Sequence, residues 1–391
     1  MSLLNRLLCL LLVLFAGNTY GQGKINLNQG GPTAKNYSSA IPYQMVNGKI
    51  LVDVELAGAK HKFIFDTGAP MWISTALASQ LKVKILGKAS TNDISGKNDS
   101  VSFSKIDGLK LGDVTFSGIP CVVNTPNFID CLGAEGLIGS NMLRNSIVGL
   151  ETTKHLLIIT DQPEKLFLNK QQAAPMLVDS MQSSPQFTIS LNGLTGTIPF
   201  DTGMSNFMNL KEEWVKVLQD KKTAFETIDK GFGFNVIGAF GLQAEEEKYL
   251  LKFPFVQIGL ARFEHLYTET IKLGTPVIGT KLLDYGNIVL DYINKQYYFY
   301  PRTPTIDMEE KHWPLSIIPK DGKLFVSMTW NKGAGLVKTG EQVLSIDGKD
   351  YSHPEPCELI TKELLPNDKT TITLVIKDIK GKTRTVDISK Q

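Results

Sequence analysis

The chain has little cysteine, no long charge run and hardly any long apolar run. Four cysteines in 391 residues exclude the dense disulfide framework that stands in for a core in small secreted domains. Cys121 and Cys131 are close enough to bridge a loop, and equally compatible with two buried free thiols. There is no Cys-x-x-Cys and no His-Glu-x-x-His, and the five histidines are scattered. No metal or other cofactor is therefore expected. His353-Pro354-Glu355-Pro356-Cys357 contains ligand types, but its two prolines suit a rigid loop better. Neither a Gly-x-Ser-x-Gly elbow nor a phosphate loop occurs. Basic and acidic residues nearly balance, 41 against 39 for a net charge of +2, which removes the electrostatic case for nucleic acid or an anionic membrane as partner.

The exception to the missing apolar runs is at the start. Arg6 precedes an almost unbroken aliphatic stretch from Leu7 to Ala16, and small residues follow near Gly21. That stretch is too short to span a bilayer, so residues 1–21 read as a signal peptide. The mature chain is expected to be exported, periplasmic or secreted, with no transmembrane segment. Residues 22–40 are polar and aperiodic and read as a flexible leader.

Beyond that leader the chain reads as predominantly all-β. Asn47-Gly48 joins two alternating strands, and a further strand from His61 to Phe65 delivers Asp66. The same order recurs later: Asn192-Gly193 joins two strands, the second of which delivers Asp201. The two copies of Asp-Thr-Gly, Asp66-Thr67-Gly68 and Asp201-Thr202-Gly203, stand 135 positions apart. Each is followed by an apolar-Ile-Gly segment, Gly136-Leu137-Ile138-Gly139 and Pro276-Val277-Ile278-Gly279. One such tripeptide is a weak signal, but a duplicated one in duplicated context is specific, and it implies an internal domain duplication. The strand aims the carboxylate, threonine can brace the opposite loop, and glycine permits a turn that a side chain would obstruct. A polar segment from Ser90 to Phe103, with Gly96 at its middle, reads as a mobile hairpin.

In these motifs the chain resembles a bilobal aspartic peptidase of the pepsin and retropepsin type, nearest to bacterial aspartyl-protease-family proteins. Asp66-Thr67-Gly68-Ala69-Pro70-Met71-Trp72-Ile73 is similar to the first active-site signature and Asp201-Thr202-Gly203 to the second. The resemblance implies two acid-protease-type β-barrel lobes, residues 41–162 and 185–301. It further implies a dyad of Asp66 and Asp201, with Thr67, Gly68, Ala69, Thr202 and Gly203 supporting the loops. Trp72, Gly96, Phe103 and Met204 are the substrate-side candidates, although Trp72 suits core packing better. A polypeptide is the implied substrate, and one chain suffices to complete the dyad. Residues 315–391 resemble a PDZ-like α+β domain, through Asp321 to Val326 and Gly335 to Gly348; that resemblance implies a peptide ligand added at a sheet edge. The alternative is an inactive peptidase-fold protein that binds extended peptides.

Fused-lobe members usually carry Ser or Thr after each Asp-Thr-Gly, where this chain has Ala69 and Met204. Losing that stabilisation of the charged form raises the carboxyl pKa values. Peptide cleavage is therefore expected to peak at a less acidic pH than in gastric-type enzymes. A rate profile peaking below about pH 3, under the reference value for aspartate, would contradict this.

Overall fold

The computed structural model describes residues 26–391 apart from 127 and 356. The expected signal peptide and the first residues of the leader lie outside the described residues. The protein is all-β in class, and the longest helix among the described residues, Glu212–Asp220, has nine residues.

Three antiparallel strands, Ser38–Val46, Lys49–Leu56 and Ala59–Asp66, open the fold. Their turns place Asn47 and Gly48, then Ala57 and Gly58, at positive φ, which matches the twist of tightly linked antiparallel strands. Ile50, Val52, Val54 and Leu56 point into the main core, while Leu51 and Ile64 face the other way, against Trp72 and Leu137. Gly136–Gly139 then runs parallel to Phe63–Asp66, with Gly139 opposite Asp66. The spacing there admits only glycine: a Cβ on Gly139 would lie 2.0 Å from the Pro70 carbonyl carbon.

The pattern returns in the second half. Pro185–Leu191 and Leu194–Pro199 form the hairpin that leads to Asp201, and Ile278 bridges both Phe200 and Met208 behind the loop. One antiparallel sheet unites the two halves. Its order is Ser38–Val46, Leu156–Thr160, Ile147–Glu151, Gly286–Asp291, Gln296–Pro301 and Ala173–Val178. The segment between the halves supplies the last of these strands.

The leader departs from its expected flexibility. From residue 26 onward it is tied down: Leu27 is buried and its N–H donates to the Met181 carbonyl at 3.0 Å. Gly31–Pro32 pairs with Val114–Ser117, and the Asp161 carboxylate accepts from the Asn36 and Tyr37 N–H groups at 2.9 Å each. Polar composition hid these contacts because they are made by backbone.

The C-terminal region forms its own core around Leu324, Val326, Val343, Leu374 and Ile388. Its strands follow the order Leu315–Lys320, Lys323–Trp330, Gln342–Ile346, Thr371–Lys377 and Thr383–Ser389. A one-turn helix spans Glu358–Thr361, and Lys362 after it is already extended. Two connections fix this region to the rest. The end of Lys323–Trp330 pairs with Glu226–Gly233 of the second half, Gly231 opposite Trp330. A disulfide joins Cys131 to Cys357 across 226 positions, with Cα atoms 4.8 Å apart.

A bridge between Cys121 and Cys131 is thus ruled out. Cys121 is buried in the first core as a free thiol, its pKa pushed up to about 12 by burial. Cys131 sits on the turn Asp130–Leu132, which packs against Glu358–Thr361. A bridge closing so long a loop restricts the unfolded chain strongly, so replacing both cysteines by serine should cost about 2–5 kcal/mol. Thermal unfolding with and without reductant checks this: wild type should melt lower when reduced, and the double variant should not respond.

Candidate active site

Asp66 ends the strand Ala59–Asp66, and Asp201 follows the strand Leu194–Pro199. The two Asp-Thr-Gly loops meet through their threonines. The Thr67 N–H donates to Thr202 Oγ1 and the Thr202 N–H to Thr67 Oγ1, both at 3.0 Å. Thr67 Oγ1 donates to the Phe200 carbonyl at 2.7 Å and Thr202 Oγ1 to the Phe65 carbonyl at 2.8 Å. Both threonines are fully buried, so every one of these bonds is shielded from water.

This brace brings each glycine up to the opposite carboxylate. A Cβ on Gly68 would stand 2.2 Å from Asp201 Cγ, and one on Gly203 would stand 2.4 Å from Asp66 Oδ2. The carboxyl groups thereby come within hydrogen-bonding reach of each other. Asp66 Oδ1 accepts from the Gly68 and Ala69 N–H groups at 3.0 and 3.1 Å, and Asp201 Oδ1 from the Gly203 N–H at 2.7 Å. Behind the loops the halves match again. The Ser140 N–H donates to the Ala69 carbonyl at 3.0 Å, and the Thr280 N–H to the Met204 carbonyl at 2.7 Å.

Burial and the charge of Asp201 push Asp66 up to about 8. Burial also raises Asp201, against the opposing pull of Lys49, the Gly203 N–H and the hydrogen bond from Asp66. Both carboxyl groups are thus pushed towards their protonated forms, and the two titrate as a unit.

The dyad lies on the floor of a cleft of about 1060 Å³. A hairpin of Gly87–Asn92 and Asn98–Ile106 covers it. At the hairpin tip, Asp93 accepts from the Ser95 N–H at 2.9 Å, the Lys97 N–H at 3.1 Å and, across the cleft, the Phe240 N–H at 2.8 Å. Ile237–Gly238 and Gly241–Leu242, the short hairpin carrying Phe240, belong to the second half. Its base is held by the buried Lys248 ammonium, which donates to Asn235 Oδ1 at 2.7 Å and Gln243 Oε1 at 3.2 Å. Two hairpins, one from each half, meet above the carboxylates.

Trp72, Phe103 and Met204 line the cleft. Trp72 is also core: only 6% exposed, it donates from Nε1 to the Asn124 carbonyl at 2.7 Å and packs against Phe240. Gly96 does not reach the cleft; it occupies the hairpin tip at φ 79°, where a Cβ would meet Leu273 at 3.1 Å. Ala69 and Met204 hold the positions after the glycines and bring no hydroxyl to either carboxylate.

Several cleft residues carry no signature in sequence. Lys49 stands beside both carboxylates. Gln182, from the segment between the halves, donates to the Gly68 carbonyl at 2.8 Å. Leu359 and Ile360 belong to the C-terminal region yet form part of the cleft wall. Only the Asn-Gly turn beside Lys49 marks any of them, and it marks a turn rather than a site. Among the described residues no cluster of His, Cys, Asp and Glu suits a metal.

Residues 52–142 match the profile of a family described as aspartyl protease. No curated protein matches the chain. The matched segment includes Asp66 and the strand Gly136–Gly139, and it supports a peptidase acting on polypeptide. No described helix is long and apolar enough to cross a membrane.

Replacing Thr202 with alanine leaves the Thr67 N–H buried without its acceptor, a loss of about 1–3 kcal/mol readable by denaturant unfolding, with serine largely restoring it. A second outcome follows from Asp66. A carboxyl whose folded pKa is raised destabilises the fold as pH rises from its unfolded value of 3.8 through about 8. Asp66→Asn should therefore match wild type in melting temperature near pH 4 and exceed it increasingly towards pH 8.

Proposed function

We propose that the protein is an exported aspartic endopeptidase in which Asp66 and Asp201 activate one water molecule between them. The observation that carries this reading is the pairing of two carboxyl groups, Asp201 buried and Asp66 half-buried, each opposite the other's loop glycine in one cleft. Two such carboxyl groups ionise one at a time. The ionised member accepts a proton from the water as its oxygen attacks the peptide carbonyl. The protonated member hydrogen-bonds the carbonyl oxygen as negative charge develops there. The resulting tetrahedral intermediate breaks its C–N bond as a proton passes to the leaving nitrogen. No covalent bond to the protein forms. Asp66 is the better candidate for the protonated member, because it receives the Asp201 charge while Asp201 feels Lys49 most strongly after burial.

The volume and apolar walls of the cleft suit an extended chain, with Trp72, Phe103 and Phe240 in contact with side chains. The C-terminal region contributes Leu359 and Ile360 to that wall, which supports a role in presenting substrate at the cleft itself. A disulfide between distant parts of the chain is consistent with an oxidising compartment and hence with export.

The test is incubation of a denatured protein over a pH series with wild type, Asp66→Asn and Asp201→Asn. Wild type should cleave with a bell-shaped profile whose alkaline limb falls near pH 8, where Asp66 loses its proton, and each variant should lose activity by about a hundredfold or more. Equal cleavage by wild type and variants, or none at any pH, would sink the peptidase reading. Saturable binding of the same denatured chain without cleavage would favour a peptide-binding protein.

A further inference from the structure

We propose that Lys49 is a positioning residue of the carboxyl pair, its ammonium setting the pH range over which Asp66 and Asp201 hold one proton between them. This rests on reading that pair as the catalytic dyad.

Lys49 is the first residue of its strand, directly after the left-handed turn Asn47-Gly48. That turn is tied from three directions. Ser205 Oγ donates to the Asn47 carbonyl at 3.1 Å, Thr280 Oγ1 donates to the Gly48 carbonyl at 2.7 Å, and Asn47 Nδ2 donates to the Ile360 carbonyl at 2.7 Å. The turn cannot swing away without breaking contacts to both the second half and the C-terminal region. So anchored, it sends the lysine side chain inward, where Nζ donates to the Gly203 carbonyl. Gly203 is the residue that abuts Asp66. Among the described residues that carbonyl is the only hydrogen-bond partner of Nζ, so the ammonium acts on the carboxylates through space.

Both carboxylates feel it, and it feels both: Asp201 first, then Asp66. Several other charges on the packed elements are engaged elsewhere. Glu358, on the helix Glu358–Thr361, is paired with Lys349 and Lys362. Lys281, after Gly279, is paired with Glu310, and Glu55 of the same strand with Lys110. Asp93 in the covering hairpin accepts three backbone N–H groups. Asp53 projects from the exposed face of the same strand, and Lys88 and Lys105 lie on the covering hairpin, across the cleft.

A cation beside a buried carboxyl pair favours ionisation and opposes the cost of burial. Ala69 and Met204 bring no hydroxyl to the carboxylates, and Lys49 supplies the missing stabilisation from a different element. Removing the charge should raise both ionisation midpoints, by about one pH unit for a half-buried cation lining the same cleft. Both limbs of the rate profile should then move to higher pH.

The experiment uses the full mature chain with Lys49→Met, Lys49→Gln and Lys49→Arg. Glutamine keeps a donor for the Gly203 carbonyl while losing the charge; arginine keeps the charge. The readouts are the carbon-13 carboxyl titrations of Asp66 and Asp201, assigned with the two asparagine variants, and kcat/KM against pH. Raised midpoints in the Met and Gln variants, with Arg close to wild type, are the expected result. Midpoints that stay in place in Lys49→Gln, or a uniform fall in rate with an unmoved pH profile, would overturn the proposal. If no protein of the set cleaves peptide, the peptidase reading fails while the carboxyl titrations still decide the role of Lys49.

Discussion

The structure depends on keeping two carboxyl groups face to face in one cleft. Left to themselves they would separate, because each disfavours the charge of the other and burial disfavours both charges. The force that holds them is the buried exchange of four hydrogen bonds between Thr67, Thr202 and the carbonyls of Phe65 and Phe200. Those bonds lock the two loops to each other, and the loops in turn are the ends of strands rooted in the two cores. The parallel strand Gly136–Gly139 and the bridges of Ile278 close the back of the loops. Little freedom is left for the carboxylates to relax apart.

The cover of the cleft is built on the same two-sided plan. A hairpin from the first half meets a shorter one from the second, and the contact is a backbone N–H on a carboxylate, Phe240 to Asp93. Such a contact can be exchanged for water at modest net cost, which suits an opening that must admit an extended chain. The buried Lys248 network makes the base of the second hairpin firmer than its tip.

The C-terminal region is part of this machine by position. It extends a sheet of the second half through Lys323–Trp330, is bolted to the first half through Cys131 and Cys357, and places Leu359 and Ile360 in the cleft wall. A region attached to both sides of a cleft limits how far the sides can move apart. It also carries the Ile360 carbonyl that holds Asn47, and through that turn the direction of Lys49.

The amino-acid sequence by itself determined the all-β class, the hairpins that lead to each aspartate, and the Asp66 and Asp201 positions. Those features are written in local chemistry: period-two alternation, Asn-Gly turns, and Asp-Thr-Gly after an apolar strand. Only the tertiary structure decided what surrounds the carboxylates. Lys49, Gln182 and Leu359 come from three separate stretches, and each looks unremarkable among its neighbours in the chain. The same holds for the bridge from Cys131 to Cys357, and for a leader whose order comes from backbone bonds and one buried leucine. Gly96 is the converse case, a glycine placed by sequence at the substrate and by the fold against Leu273. Local patterns specify strands and turns, whereas proximity across 226 positions is set by how sheets stack and which faces they bury.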